Sequence, residues 1–346
     1  MSAPEHADAV EILFQHQYAF MIPKIMFTAS DLGVFDLLME SKEPLTSVTI
    51  AERLGTSPFG MERLLDACVG LKYLQVERKE NQTLYGNTDL ANLYLAKSSL
   101  KSQYHSLKFT SEFIYMGMQY LADSVREGKS QTDRVYGISG KDCFDALNRS
   151  ESGLQKIFMG AMHEKWHLFG REIMTAFDLS HFPLVCDVGG CTGACAKEYI
   201  SLYPNSTVTI LDLPEIVEQA KNHYVSSQDH QITFHKGDFF KDPIPEADLY
   251  ILTRVLHDWS DEKCVQLLTR LHKACKPGGG VLTVEMVLNE DRKGPVRCQL
   301  YSVIMLVLTE GQERTASEYN ALLSAAGFKE IQQKKTSFYD AILARK

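Results

Sequence analysis

Between Leu184 and Ala344, short β-branched or apolar runs alternate with helical stretches, and that alternation constrains the fold more than any other feature of the 346 residues. The runs are Leu184–Val188, Thr207–Leu213, Ala247–Thr253 and Gly280–Glu285, with helical patterns at Ala194–Leu202, Pro214–Tyr224 and Asp261–Ala274. Strands joined through helices run parallel, because the crossover carries the chain back to the starting edge, and helices then cover both faces of the sheet. The final runs, Phe328–Lys335 and Tyr339–Ala344, stand too close together for a crossover and must pair antiparallel. The predicted fold is therefore α/β, with a sheet parallel through most of its width and closing on an antiparallel C-terminal edge pair.

The first hundred residues read mainly as helix. Val10–Phe27 is apolar around much of its circumference, with Pro23 set to break it, and Asp31–Leu38 continues the pattern. A helix apolar on several sides must be buried on several sides, which predicts pairing with a second copy of the chain. A compact module follows. A short helix at Thr49–Leu54 stops at Gly55, and a second begins with Ser57 as cap and Pro58 in the first turn. The second helix carries Leu64, Leu65, Cys68, Val69 and Leu71 on its buried side. Two strands, Tyr73–Glu77 and Thr83–Tyr85, close the module around a polar turn at Lys79–Asn81. Helix, turn, helix and hairpin is the winged-helix order. Residues 1–105 hold 9 basic and 13 acidic side chains, the wrong balance for phosphate contacts, so the module reads as a packing and dimerisation device. The predicted division is a helical, winged-helix dimerisation domain at 1–108 and the α/β domain at 109–346, whose first part, up to about residue 180, is mainly helical.

Composition narrows the function. The formal net charge is −8, which disfavours nucleic acid and anionic membranes as partners. No apolar run reaches the roughly 18 residues a membrane helix needs. The N-terminal residues show no basic region followed by an apolar one, and none of the 8 cysteines forms a Cys-x-x-Cys pair. These features predict a cytoplasmic protein with reduced thiols.

Four segments carry chemistry, each at the C-terminal end of a predicted strand. Asp187-Val188-Gly189-Gly190-Cys191-Thr192-Gly193 is a glycine turn between strand and helix, open to close approach by a ligand or serving only as a tight turn. Asp212, next to Leu213, is placed to accept two ribose hydroxyls; alternatively it caps the helix that Pro214 begins. Gly237-Asp238-Phe239-Phe240 offers a carboxylate for an exocyclic amine and a ring for the face of an adenine, unless the phenylalanines are core. Together the three describe a nucleoside crevice. The fourth segment, Arg254–Trp259, brings His257 to the same edge, where an imidazole can take a proton near neutral pH. Glu285 ends the next strand and either supports that imidazole or is a solvated strand end. His163 and His167 are four apart on a helix, but nothing nearby completes a metal site, and no metal is predicted.

These segments, with Lys276-Pro277-Gly278-Gly279-Gly280 and Glu310-Gly311-Gln312-Glu313-Arg314-Thr315, resemble the small-molecule O-methyltransferases of the plant caffeate and animal indole type, over nearly the whole chain. The resemblance implies a class-I methyltransferase, Rossmann-like sheet and S-adenosylmethionine as methyl donor, released as S-adenosylhomocysteine. It implies a homodimer and a small aromatic hydroxyl as substrate, with N-acetylserotonin, converted to melatonin, as the acceptor of the indole branch. It places Gly189 under the methionine part of the donor, Asp212 at the ribose, and Asp238 with Phe239 at the adenine, with Asp187, Leu213 and Gly237 among the other donor-binding residues. Arg254, Trp166 and Asn148 fall on further donor-contacting positions, Asn148 replacing a tyrosine. His257 falls on the catalytic base, Glu285 and Glu313 on the two carboxylates flanking it, and Asp258 on a substrate contact. Two polar substrate-contacting positions of the indole branch, an asparagine and a glutamine, are Ile304 and Leu308 here. That change predicts a more apolar acceptor pocket. Two further readings follow from it: a less polar phenol or hydroxyindole as acceptor, or a catalytically silent nucleoside-binding relative.

Overall fold

The computed structural model describes residues 3–137, 144, 147 and 153–346, with side chains from Asp8 onward. The chain divides into two compact units, Met1–Ser111 and Glu112–Lys346.

In the first unit, helix Ala3–Tyr18 ends before Met21–Leu32 begins. Pro23 sits in the first turn of the second helix, where its missing N–H costs nothing, so the break precedes the proline. Gly33, at φ 84°, turns the chain into Val34–Ser41. Thr46 caps the helix Ser47–Leu54 through Thr49 N–H, and Gly55 ends it at φ 65°. Ser57 caps Pro58–Gly70. Strand β1 (Leu45–Thr46) pairs with β3 (Gln82–Asn87), which pairs with β2 (Leu74–Lys79), all antiparallel. The β2–β3 turn places Glu80 and Asn81 at positive φ, the backbone that a two-residue hairpin needs. Phe35, Ile50, Leu65, Cys68 and Leu74 form the core of this unit. Ile12, Leu13, Phe14 and Phe20 are each about half exposed on the single chain.

The second unit is built on a seven-stranded sheet. Its strands are β4 (Leu184–Val188), β5 (Thr207–Asp212), β6 (Ile232–Lys236), β7 (Ala247–Thr253), β8 (Cys275–Glu285), β11 (Lys329–Lys334) and β12 (Asp340–Arg345). A short parallel pair, β9 (Val287–Leu288) and β10 (Arg314–Thr315), stands apart from it. The spatial order is β11-β12-β8-β7-β4-β5-β6. β8, β7, β4, β5 and β6 are parallel neighbours, whereas β12 pairs antiparallel with both β8 and β11. The alternating and closely spaced runs of the sequence thus produce the sheet expected of them.

Residue alternation along each central strand serves two cores. Val185, Ile210, Leu249, Ile251 and Leu282 face one side with Trp166, Ile173 and Tyr199 from covering helices. Cys186, Val188, Tyr250, Leu252 and Val281 face the other with Leu267, Leu271, Tyr319 and Leu323. The chain leaves β4 toward β5 and β6, then returns to β7 on the opposite side of β4. The order therefore reverses between β4 and β7, and a crevice opens there at the C-terminal strand ends.

Candidate active site

The glycine turn after β4 forms one wall of that crevice. Gly189 (φ 70°), Cys191 (φ 49°) and Gly193 (φ 77°) bend the chain into the helix Ala194–Leu202. A Cβ on Gly189 would lie 3.2 Å from Val255 and 3.9 Å from Phe239, so the turn after β4 touches the segments after β6 and β7. Asp187 is buried. Desolvation, with the Asp212 charge, pushes its carboxyl up to about 7. Its Oδ2 and the buried indole N–H of Trp166, on helix Leu154–Met174, find no hydrogen-bond partner among the described residues.

Asp212 ends β5. Its Oδ2 accepts from Cys191 N–H at 2.8 Å and its Oδ1 from Leu213 N–H at 2.8 Å. The helix starting at Pro214 is flanked by Leu213 without any side-chain cap, so Asp212 is no N-cap. It ties the β4 turn to the β5 turn instead, and burial raises its carboxyl to about 6. Gly237 follows β6, its N–H bonded to Asp212 O at 3.0 Å. The Asp238 carboxylate accepts from Phe240 N–H and from Lys241 Nζ. Desolvation pushes its pKa up, but these two donors outweigh it and hold the group below its ordinary value. Phe239 is partly buried and packs edge-on to Phe240 and Trp259.

The other wall follows β7. Arg254 takes φ 56°, a rare conformation for a residue with a side chain, held by its N–H on Val284 O at 2.9 Å. A single 3-10 turn, Leu256–Asp258, comes next and buries His257 and Asp258. The Arg254 guanidinium donates to Glu285 Oε2 at 3.1 Å, to Glu313 Oε1 at 2.6 Å and to His257 Nδ1 at 3.0 Å. His257 Nδ1 lies 3.4 Å from Glu313 Oε1, while Nε2 lies 3.1 Å from Arg254 O and 3.5 Å from Asp258 Oδ1. Glu285 accepts the N–H groups of Val255 (3.2 Å) and Leu256 (2.9 Å). The sequence reading put Glu285 against the imidazole or in solvent. The structure buries it completely and gives its carboxylate to Arg254 and to the turn's backbone, because strand β8 ends beneath that turn.

Charge in this cluster is shared unequally. Burial pushes both glutamates up. Glu313, paired twice with Arg254 and close to His257, falls to about 2, whereas Glu285 stays above its ordinary value. Burial and the Arg254 charge push His257 down, but Asp258 and Glu313 outweigh them and its pKa stands above 6.5. Ligand atoms of His257, Glu285 and Glu313 lie within 4.8 Å of one another, a donor set a cation could use. The guanidinium of Arg254 already bonds to all three, so a metal ion would have to displace a fixed positive charge.

The remaining expected positions scatter. Ile304 and Leu308 lie on the helix Val296–Leu308. Ile304 is partly buried; Leu308 is buried, and a Cβ on Gly117 would meet its Cδ2 at 2.9 Å. Asn148 lies outside the described residues. Two residues had no assigned role in the sequence reading. Arg314 is buried and bonds the backbone of the His257 turn, and Gly311 packs flat against it. Both lie in the Glu310–Thr315 segment that carries part of the family resemblance, but a glycine and an arginine in a charged stretch give no local sign of a role at the His257 turn.

A family model described as O-methyltransferase domain matches residues 118–329, which contain this crevice. The chain belongs to the O-methyltransferase family. A second model, O-methyltransferase dimerisation domain, matches residues 14–97. Among O-methyltransferases, the chain is 55% identical to acetylserotonin O-methyltransferase of Gallus gallus over the full length of both proteins. It is 50% identical to the enzyme of that name from Homo sapiens, over 98% of each chain. The crystal structure of human N-acetylserotonin methyltransferase in complex with SAM superposes with a TM-score of 0.94 at 50% identity, covering 98% of this chain and 97% of that one. No helix among the described residues is long and apolar enough to cross a membrane.

Proposed function

We propose that this O-methyltransferase moves the methyl group of S-adenosylmethionine to an aromatic hydroxyl, with N-acetylserotonin as acceptor and melatonin and S-adenosylhomocysteine as products. The observation that carries the mechanism is His257, buried at the C-terminal strand edge with Nδ1 within 3.4 Å of a carboxylate that stays ionised.

The crevice suits the donor. The buried Oδ2 of Asp187, without a partner among the described residues, and the side-chain-free approach at Gly189 leave room for a polar, partly cationic ligand, and the buried indole N–H of Trp166 is likewise unpartnered among the described residues. Asp187 and Gly189 would hold the methionine part, Asp212 and Leu213 the ribose, and Gly237, Asp238 and Phe239 the adenine. When bound, the donor supplies an electrophilic methyl group on a sulfonium. A phenol has a pKa near about 10, so its oxygen must lose a proton as it attacks. His257 accepts that proton. Glu313 stabilises the imidazolium through Nδ1, Glu285 fixes the turn and Arg254 fixes both carboxylates. Asp258, buried beside Nε2, would meet the acceptor. Much of the acceleration comes from alignment of oxygen and methyl in a site that excludes water. The half-exposed Ile12, Leu13, Phe14 and Phe20 would be covered by a second copy, and the working form is a cytoplasmic homodimer.

A second reading keeps the reaction and changes the acceptor. Ile304 and Leu308 motivate it, because neither side chain can hydrogen-bond a polar acceptor. One experiment separates the two. Purified protein is incubated with S-adenosylmethionine and either N-acetylserotonin or a panel of less polar phenols and hydroxyindoles, and methylated product is measured. Product from N-acetylserotonin at the highest kcat/KM supports the first reading, and product only from the panel supports the second. Donor binding without product from any acceptor would overturn both.

A further inference from the structure

We infer that Arg314 is a positioning residue for methyl transfer, holding the turn that carries His257 by its backbone from a place where it touches no reacting group. The inference rests on the reading of His257 as the base.

Arg314 is among the largest fully buried side chains of the protein. Its Nη1 donates to Leu256 O at 3.0 Å and Gln312 O at 3.3 Å, its Nη2 to Trp259 O at 2.8 Å, and its Nε to Asp261 Oδ1 at 2.8 Å. Leu256 and Trp259 stand on either side of His257-Asp258. One rigid, planar cation therefore grips both ends of the segment that presents the base and its acidic neighbour. A guanidinium fixes direction as well as distance, which a lysine ammonium cannot do at two carbonyls together.

The turn is held from three directions, and Arg314 supplies the one the others lack. Glu285 takes the N–H groups of Val255 and Leu256. Gly311 presses on the turn so closely that a Cβ there would lie 2.0 Å from His257 O and 2.6 Å from Trp259 N. Arg314 takes the carbonyls. The segment Gly311–Arg314 thus delivers Glu313 to the imidazole and, with the next residue, the clamp that sets where the imidazole stands. Asp261, the outer partner of Arg314, is a largely exposed side chain at the start of helix Asp261–Ala274. The donor's expected contacts at Gly189, Asp212 and Asp238 lie on other strand ends, and Arg254, the one expected contact beside the turn, is held separately by its N–H on Val284 O and by Glu285. A loosened clamp should therefore change proton transfer and leave donor binding alone.

The test uses full-length protein carrying Arg314→Lys or Asp261→Asn, with His257→Ala as reference. Thermal unfolding, calorimetric binding of S-adenosylhomocysteine and kcat across pH, with the acceptor that the wild type methylates best, are measured on each. Arg314→Lys is expected to lower kcat by about 10- to 100-fold, with the S-adenosylhomocysteine Kd within about threefold of wild type. The acid limb of its kcat profile should move by at least about 0.5 along the pH axis, because the distances from His257 to Glu313 and Asp258 change. Asp261→Asn, at an exposed position, should lower kcat by about three- to tenfold with the same displaced limb, and it decides the matter if Arg314→Lys does not fold. Unchanged kcat in the folded variants would overturn the inference. So would a fall in kcat with an unmoved acid limb. If instead His257→Ala keeps wild-type turnover, the reading of the base fails, and that result is visible independently of Arg314.

Discussion

Nη2 of Arg254 lies 3.0 Å from Nδ1 of His257. A guanidinium has only donors, so Nδ1 is the acceptor in this pair and the neutral ring carries its proton on Nε2, 3.1 Å from Arg254 O. Glu313 Oε1 waits 3.4 Å from the same Nδ1. A base that accepts at Nε2 needs the other tautomer, with Nδ1–H turned to Glu313. Arg254 and Glu313 therefore compete for one nitrogen, and the outcome sets the readiness of the base. In ¹⁵N spectra of histidine-labelled protein without acceptor, His257 should be the Nε2–H tautomer, and Arg254→Met should shift it toward Nδ1–H. An Nδ1–H ring in the unsubstituted protein would contradict this account.

Activity should follow the ionisation of His257, whose pKa stands above 6.5. The base works only unprotonated, so kcat should rise with pH through a value higher than that of a free imidazole. Glu313 favours the imidazolium, so Glu313→Gln should move the acid limb to lower pH while reducing kcat about 10- to 100-fold. A limb that moves upward would place Glu313 in some other role.

The buried carboxylates give stability an opposite dependence at the donor crevice. Asp187 is raised to about 7 and Asp212 to about 6, both from an ordinary value of 3.8, first by burial. A raised folded-state value favours the protonated form. The stability this contributes is present below about pH 3.8 and is lost as pH rises through about 6 to 7. Without donor, the unfolding free energy should fall between pH 5 and about 7.5 by on the order of a few kcal/mol, and the melting temperature should fall with it. Asp187→Asn should flatten the slope, and calorimetric melts across that range would show it.

Gly311 gives a steric prediction. A Cβ 2.0 Å from His257 O cannot be accommodated without moving one of the two backbones. Gly311→Ala should destabilise the protein by about 2–3 kcal/mol and displace the His257 turn, with a loss of turnover larger than the stability change alone explains. Denaturant unfolding and single-turnover assays test the two halves separately. Wild-type values in both would mean that the loop moves freely.

Acceptor choice should respond at Ile304 more than at Leu308. Ile304 is partly buried, while Leu308 is committed to packing against Gly117. Ile304→Asn should raise kcat/KM for N-acetylserotonin relative to an apolar phenol by about fivefold, the worth of one net hydrogen bond of about 1 kcal/mol. An unchanged ratio would remove Ile304 from the acceptor pocket.

The sheet was legible in the sequence because its information is local. Period-two runs, helical spacing, Gly55 and Gly189 at positive φ, and the cap at Ser57 all act within a few residues. The same local rules put Asp187, Asp212, Gly237, Asp238 and His257 at strand ends, and parallel pairing then gathers those ends on one edge. Asp212 shows where locality misleads. Its neighbour Pro214 suggests a helix cap, yet its carboxylate ties two turns together, because pairing of β4 with β5 brings Cys191 N–H to it.

Tertiary structure alone decided how the charges are shared. Arg254 and Glu313 are 59 residues apart in the chain and 2.6 Å apart in space. Nothing in their local sequence says that one arginine will bond to two glutamates and a histidine, or that Arg314 will leave the surface to hold the His257 turn. The strength of these contacts depends on distance and on exclusion of water, and both are set only when β7, β8 and the Gly311–Arg314 segment close on one another. The sequence by itself determined which strand ends would meet at the crevice. The packing determined which of those groups hold a charge there, and where the proton sits.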